Sequence, residues 1–233
     1  MRRRLLFYPA AMRFLQCVAA ESALVAPRFT RTRLGLTLLA LGVTLVWLGA
    51  RGLDAFTITV LAGSLAAIVA AAALAGSENE RRALTTALTH PTTPLAVAAG
   101  RWVALVTAAG LLAIMCTAAV GWNPAHAIAG VVAAGAVGAC ALALVTSVGN
   151  GAATGLFLFI ALAGAVAPER LVALAHPGFV RLAAASAIEL GPALWHYRDI
   201  ATGDWGALAH ALAWTGLGVL LASGFIARRR ARA

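Results

Sequence analysis

Residues 77–101 read SENERRALTTALTHPTTPLAVAAGR, a long polar stretch set between two strongly apolar runs. Its start has the marks of a helix N-terminus. Ser77 can cap, and Glu80 stands three residues on, where a capping box wants a carboxylate. Glu78 and Glu80 also suit the positive end of the helix dipole. Leu84 and Leu88 then fall at i and i+4, a narrow apolar stripe on an otherwise polar helix. Pro91 and Pro94 end it. The chain therefore leaves an apolar layer, makes a short charged helix along its surface, and re-enters. That helix is shaped to be gripped by something soluble.

Composition says what the apolar layer is. Hydrophobic residues make up 62% of the 233, charged residues 11%, and the mean hydropathy is +0.90. A soluble domain carries about 25% charged residues, so this is an integral membrane protein. Its apolar runs are continuous rather than alternating, which excludes a transmembrane β-barrel. The expected fold is all-α, with six transmembrane helices at about 20 residues each. They run from about Leu34 to Ala50, Phe56 to Gly76, Val97 to Gly121, Ala125 to Val148, Thr154 to Ala167 and Ala207 to Ala227. Gly63, Ala67 and Ala71 recur every four residues, as do Gly130, Ala134 and Gly138, so other helices can pack closely there.

Three domains or segments follow. Residues 1–33 form a cytoplasmic N-terminus with an amphipathic interfacial helix over about 10–26, broken at Pro27. Residues 34–227 are one transmembrane domain, with the charged helix at 77–94 between spans two and three. In its outer segment, 168–206, the apolar pieces are too short to span and read as one or two re-entrant half-helices. Residues 228–233 are a basic tail. All 18 basic residues are arginines, and with the N-terminus inside, 14 lie on the inner side and 4 outside. That bias is the positive-inside pattern, with both termini cytoplasmic. It accounts for the net charge of +10 better than nucleic acid does. The N-terminal MRRRLLFYP has too short an apolar run for a signal peptide.

The chemistry of the chain is sparse. Cys17, Cys116 and Cys140 show no metal or disulfide spacing. Glu189, His196, Asp199 and Asp204 match no zinc motif. His196 and Asp199, at i and i+3, can face one another in an outer cap. No charge falls in the middle of an expected span, which argues against a proton- or ion-coupled carrier. No G-x-x-x-x-G-K-[ST] loop is present.

Two places resemble the type-2 permease family, the membrane subunits of ATP-binding-cassette exporters. In the surface helix Glu78 and Glu80 match the family's acids, Leu84 and Leu88 its leucines, and Pro91 its proline. Gly100-Arg101 stands for its Gly-Lys. Arg82, Ala83, Thr85 and Ala87 depart from the family's residues. In ELGPALWHYRDIATGDWG, Pro192, His196, Tyr197, Asp199, Ala201 and Gly203 match the element before the last span.

The resemblance implies a non-enzymatic half-transporter of the bacterial inner membrane, paired with a second copy or a paralogue. A separate cytosolic ATPase would carry ATP and Mg, with no cofactor on this chain. Glu78, Glu80, Arg81, Arg82, Leu84, Leu88 and Pro91 would couple to that ATPase. Glu189, Pro192, His196, Tyr197 and Asp199 would form an outer gate. The apolar character of the spans suits an amphiphilic or apolar cargo. Two other readings share these residues: a haem-exporter permease of cytochrome c maturation, and a non-transporting membrane anchor.

Overall fold

A computed structural model of the chain describes residues 10–31, 33–75, 92–148 and 191–231. They form α1 (Ala10–Arg31), α2 (Arg33–Ala50), α3 (Ala55–Ala75), α4 (Pro94–Val120), α5 (Pro124–Val148), a 3-10 helix (His196–Thr202) and α6 (Trp205–Arg230). The described residues contain no strand. Five helices, α2 to α6, are long and apolar enough to cross a membrane, so the chain is a multi-pass helical membrane protein. The expected fifth span, at 154–167, lies outside the described residues. So do the surface helix from Ser77 to Pro91 and most of the outer segment.

The helix ends follow local chemistry. Pro94 does not close the surface helix but opens α4, where its missing N–H costs nothing. The Thr93 hydroxyl caps the same end by accepting from the Ala96 N–H. Asp54 caps α3, its carboxylate accepting from the Thr57 N–H at 3.2 Å. Asp204 caps α6, accepting from the Gly206 N–H at 2.7 Å.

α3 and α5 are the interior of the bundle; α2 and α6 lie at its periphery and turn leucines outward. The two small-residue stripes meet face to face. A Cβ on Gly63 would land on the Gly130 carbonyl, and a Cβ on Gly130 would strike the Thr59 side chain. Ala67 lies against Gly138. Small side chains let the two backbones touch, and dispersion then replaces what the hydrophobic effect cannot supply within lipid. Polar ties lock neighbours in place. The Thr59 and Thr117 hydroxyls share a hydrogen bond of 3.0 Å between α3 and α4. The Trp102 indole N–H donates to the Gly135 carbonyl at 2.9 Å between α4 and α5.

These contacts fix direction. Thr59 meets Thr117 and Gly42 meets Cys116, so α3 is antiparallel to α4 while α2 is parallel to it. Cys140 meets Trp214 near the middle, and Leu142 and Ala143 cluster with Ala222 and Ile226 further on, so α5 and α6 run parallel. One end of the bundle therefore gathers the α2–α3 turn, the α4–α5 turn and the 3-10 helix: the hairpin end. The other, the basic end, holds Arg101, Arg228 and Arg229. α5 finishes at the basic end and the 3-10 helix sits at the hairpin end.

The N-terminal helix departs from the sequence reading in two ways. It continues through Pro27 to Arg31 instead of breaking there. Pro27 gives up one backbone hydrogen bond, but Val25 and Phe29 on either side of it are buried against the bundle, and that packing carries the helix on. Its other departure is that a polar joint fastens it, described below.

Candidate functional site

Two polar sites stand out from the apolar bundle, one at each end. At the basic end α1 crosses the first turns of α4. Gly100 makes the crossing possible, since a Cβ there would meet the Glu21 side chain at 2.6 Å and the Val18 carbonyl at 2.9 Å. The Ser22 hydroxyl lies 2.9 Å from the Gly100 carbonyl and 2.8 Å from Val18 O, either of which can take its proton. Beside it the Arg101 Nε donates to Glu21 Oε1 at 3.1 Å. The arginine is 3% exposed and the glutamate 11%. In so dry a place neither charge is tolerable alone. The sequence groups Arg101 with the polar stretch at the inner face, at the edge of the span expected from Val97. It lies buried two turns into α4, so a charge does enter a spanning helix, paired with Glu21. Glu21 was missed altogether, because nothing local in the α1 sequence shows that a partner 80 residues away will face it.

At the hairpin end the described part of the outer segment is a single 3-10 helix, not an α half-helix. In a 3-10 helix residues at i and i+3 eclipse. His196 Nδ1 and Asp199 Oδ2 therefore meet at 3.4 Å, a distance for an ion pair but without hydrogen-bond geometry. Gly203 ends the turn at φ +89°, left-handed backbone that glycine takes without strain. The Thr202 hydroxyl ties the last turn to Asp199 O at 2.8 Å.

Under the turn Ala193, Leu194 and Tyr197 are buried against the bundle, as is Pro192. Tyr197 is fully buried, its hydroxyl has no hydrogen-bond partner among the described residues, and burial beside Cys140 pushes its pKa well up. The His210 and Trp214 rings continue the cluster, the Trp214 indole N–H donating to His210 Nε2 at 3.0 Å. Hence His210 Nε2 is an acceptor, and the neutral tautomer carries its proton on Nδ1.

The cap is tied to the rest of the hairpin end through Arg198. Its guanidinium lies 3.5 Å from Asp54 and 5.5 Å from the centre of the Phe56 ring, which packs edge-on against His126. His196, Asp199 and Asp204 offer one donor atom each within 4.8 Å of one another, a set the spacing along the chain did not suggest. Asp204 already spends its carboxylate on the α6 cap, so the simplest work of this group is structural.

Of the sequence-picked residues, Pro192, His196, Tyr197 and Asp199 come together here. Glu78, Glu80, Arg81, Arg82, Leu84, Leu88, Pro91 and Glu189 lie outside the described residues.

Asp54 gives this end a pH dependence. Burial would raise its pKa, but hydrogen bonds from Thr57 and Phe56 and the charge of Arg198 outweigh that and hold it below the usual 3.8. A depressed carboxylate stabilises the fold above its unfolded pKa and loses that contribution as pH falls through the folded one. Melting curves should therefore show acid destabilisation below about pH 4 that Asp54→Asn reduces. Asp54→Ala should also cost about 1 kcal/mol of helix capping at neutral pH.

In comparisons with known proteins, no family model, no curated protein and no solved structure matches this chain.

Proposed function

We propose that this chain is the permease subunit of an ATP-binding-cassette exporter, working as half of a dimer with a separate cytosolic ATPase. The observation that carries the reading is the joint at the basic end. The segment with the family-like pattern Glu78, Glu80, Leu84, Leu88 and Pro91 runs directly into α4, which opens at Pro94. Two turns later α4 is clamped to α1 by the Gly100 crossing and the Glu21–Arg101 pair. A push on the surface helix would thus reach α4 and α1 together, and rigid packing would hand it to α3 and α5.

Two further points support it. Counted over the sequence, arginines favour the basic end as the cytoplasmic one, which puts the joint on the ATPase side. The parallel course of α5 and α6 is what one further span between them, at 154–167, would produce. The hairpin end would then be the outer gate, closed by His196, Tyr197 and Asp199 beneath Arg198.

The test is gentle purification from the native membrane, asking whether a protein with a phosphate-binding loop comes along with vanadate-sensitive ATPase activity. Leu84→Asp with Leu88→Asp should abolish that association, more than a tenfold loss of stimulated ATPase, while the chain still inserts and folds. A chain that copurifies with no nucleotide-binding protein in several detergents would instead be an anchor.

A further inference from the structure

At the basic end the last turns of α5 and α6 leave a cavity of about 210 Å³ that plays no part in the proposal above. It is lined by Thr146, Ser147, Phe225, Arg228 and Arg229. Neither arginine pairs with a carboxylate among the described residues, and none of the five lining residues is acidic. The described carboxylates are accounted for elsewhere: Glu21 holds Arg101, while Asp54, Asp199 and Asp204 sit at the hairpin end. Two permanent cations thus share a cavity with no counter-charge among the described residues, and guanidinium geometry matches phosphate.

The hydroxyls add a second feature. Thr146 donates to Leu142 O or Ala143 O, and Ser147 to Leu144 O. Their protons are spent, so toward the cavity they offer only lone pairs. The site therefore presents donors for an anion beside acceptors for a hydroxyl. Its depth in the bilayer follows from the spans, for α5 ends at Val148 and α6 reaches Arg228 as its apolar run stops. That is the headgroup layer. Leu221 and Leu217, one and two turns before Phe225 on the same face of α6, are exposed and form an apolar track leading from the cavity into the hydrocarbon.

We infer that this cavity seats the headgroup of an anionic glycerophospholipid bearing a free hydroxyl, of the phosphatidylglycerol type. The phosphate lies between Arg228 and Arg229, the headgroup hydroxyl donates to Ser147, and an acyl chain runs along Leu221 and Leu217. Basic pockets between spanning helices are the usual seats for acidic headgroups. The inference is independent of the exporter reading, since it needs only the membrane fold.

The purified full chain in neutral detergent is titrated with phosphatidylglycerol, phosphatidylcholine, phosphatidic acid or inorganic phosphate. Bound lipid is counted by native mass spectrometry and stabilisation read from thermal unfolding. The wild type should prefer phosphatidylglycerol over phosphatidylcholine by about tenfold or more, and Arg228→Gln with Arg229→Gln should erase that preference. Ser147→Ala should weaken phosphatidylglycerol several-fold relative to phosphatidic acid. Arg51→Gln, at the other end, should leave the lipid preference unchanged. If the double variant does not fold, the wild type still decides, because its preference should collapse between about 0.05 and 0.5 M salt. Equal binding of both lipids, a salt-independent preference, an intact preference in the double variant, or equal stabilisation by inorganic phosphate would each overturn the proposal.

Discussion

Glu21→Gln should destabilise the folded chain by about 3 kcal/mol or more, the range found when one partner of a buried ion pair is removed. The reason is the state of Arg101. At 3% exposure it cannot return to water when its carboxylate is gone, and arginine cannot shed its proton as a buried lysine would. The cost is thus mainly that of a buried charge stripped of its Glu21 carboxylate. It follows that Arg101→Met, which leaves behind the less buried Glu21, should cost less than Glu21→Gln. The double variant Glu21→Gln with Arg101→Met should recover most of the loss. Thermal unfolding of the four proteins forms a double-mutant cycle, and additive losses would mean that the pair is not the joint. In the exporter reading the double variant has a further consequence: stable protein with weakened coupling between ATP hydrolysis and transport.

Gly63→Leu should prevent assembly of the bundle. Even one added carbon would occupy the position of the Gly130 carbonyl, which is backbone and cannot rotate aside. α3 and α5 would have to part along their whole contact, forfeiting the packing of Ala67 on Gly138 and of Gly130 on Thr59. Overpacking in a tight core costs about 1–3 kcal/mol, and a backbone clash between the two central helices belongs at or above the top of that range. Gly130→Leu should behave alike. Gly216→Ala and Gly224→Ala are the controls, because nothing lies within 4 Å of a Cβ at either position. Yield of folded protein from the membrane and its melting temperature read all four. Normal melting of the Gly63 variant would show that α3 and α5 are not in backbone contact.

How much of this was legible beforehand differs from element to element. The spans were, because lipid demands a continuous apolar run and a satisfied backbone, and both are properties of consecutive residues. The expected limits of the first four spans fall within a few residues of α2, α3, α4 and α5. The periodic stripes of Gly63 and Gly130 were visible too, but not that they would face each other. His196 and Asp199 could be paired from spacing alone, since three residues separate them. The tie from Arg198 to Asp54 could not be, with 144 residues between the two.

The sequence by itself determined that the chain is helical, that it lives in a membrane, and, to within a few residues, where its described spanning helices start and stop. Caps, prolines and apolar runs act within a turn or two of where they stand, so their effects can be read along one dimension. Only the tertiary structure decided that α1 runs through Pro27, that Glu21 is the counter-ion of Arg101, and that Ser147 and Arg228 border one cavity. Each of these depends on which surfaces meet in three dimensions. A buried charge, a crossing glycine or an arginine at a cavity acquires its meaning from a neighbour distant in the chain, and in an alanine-rich sequence many pairings look alike until packing selects one.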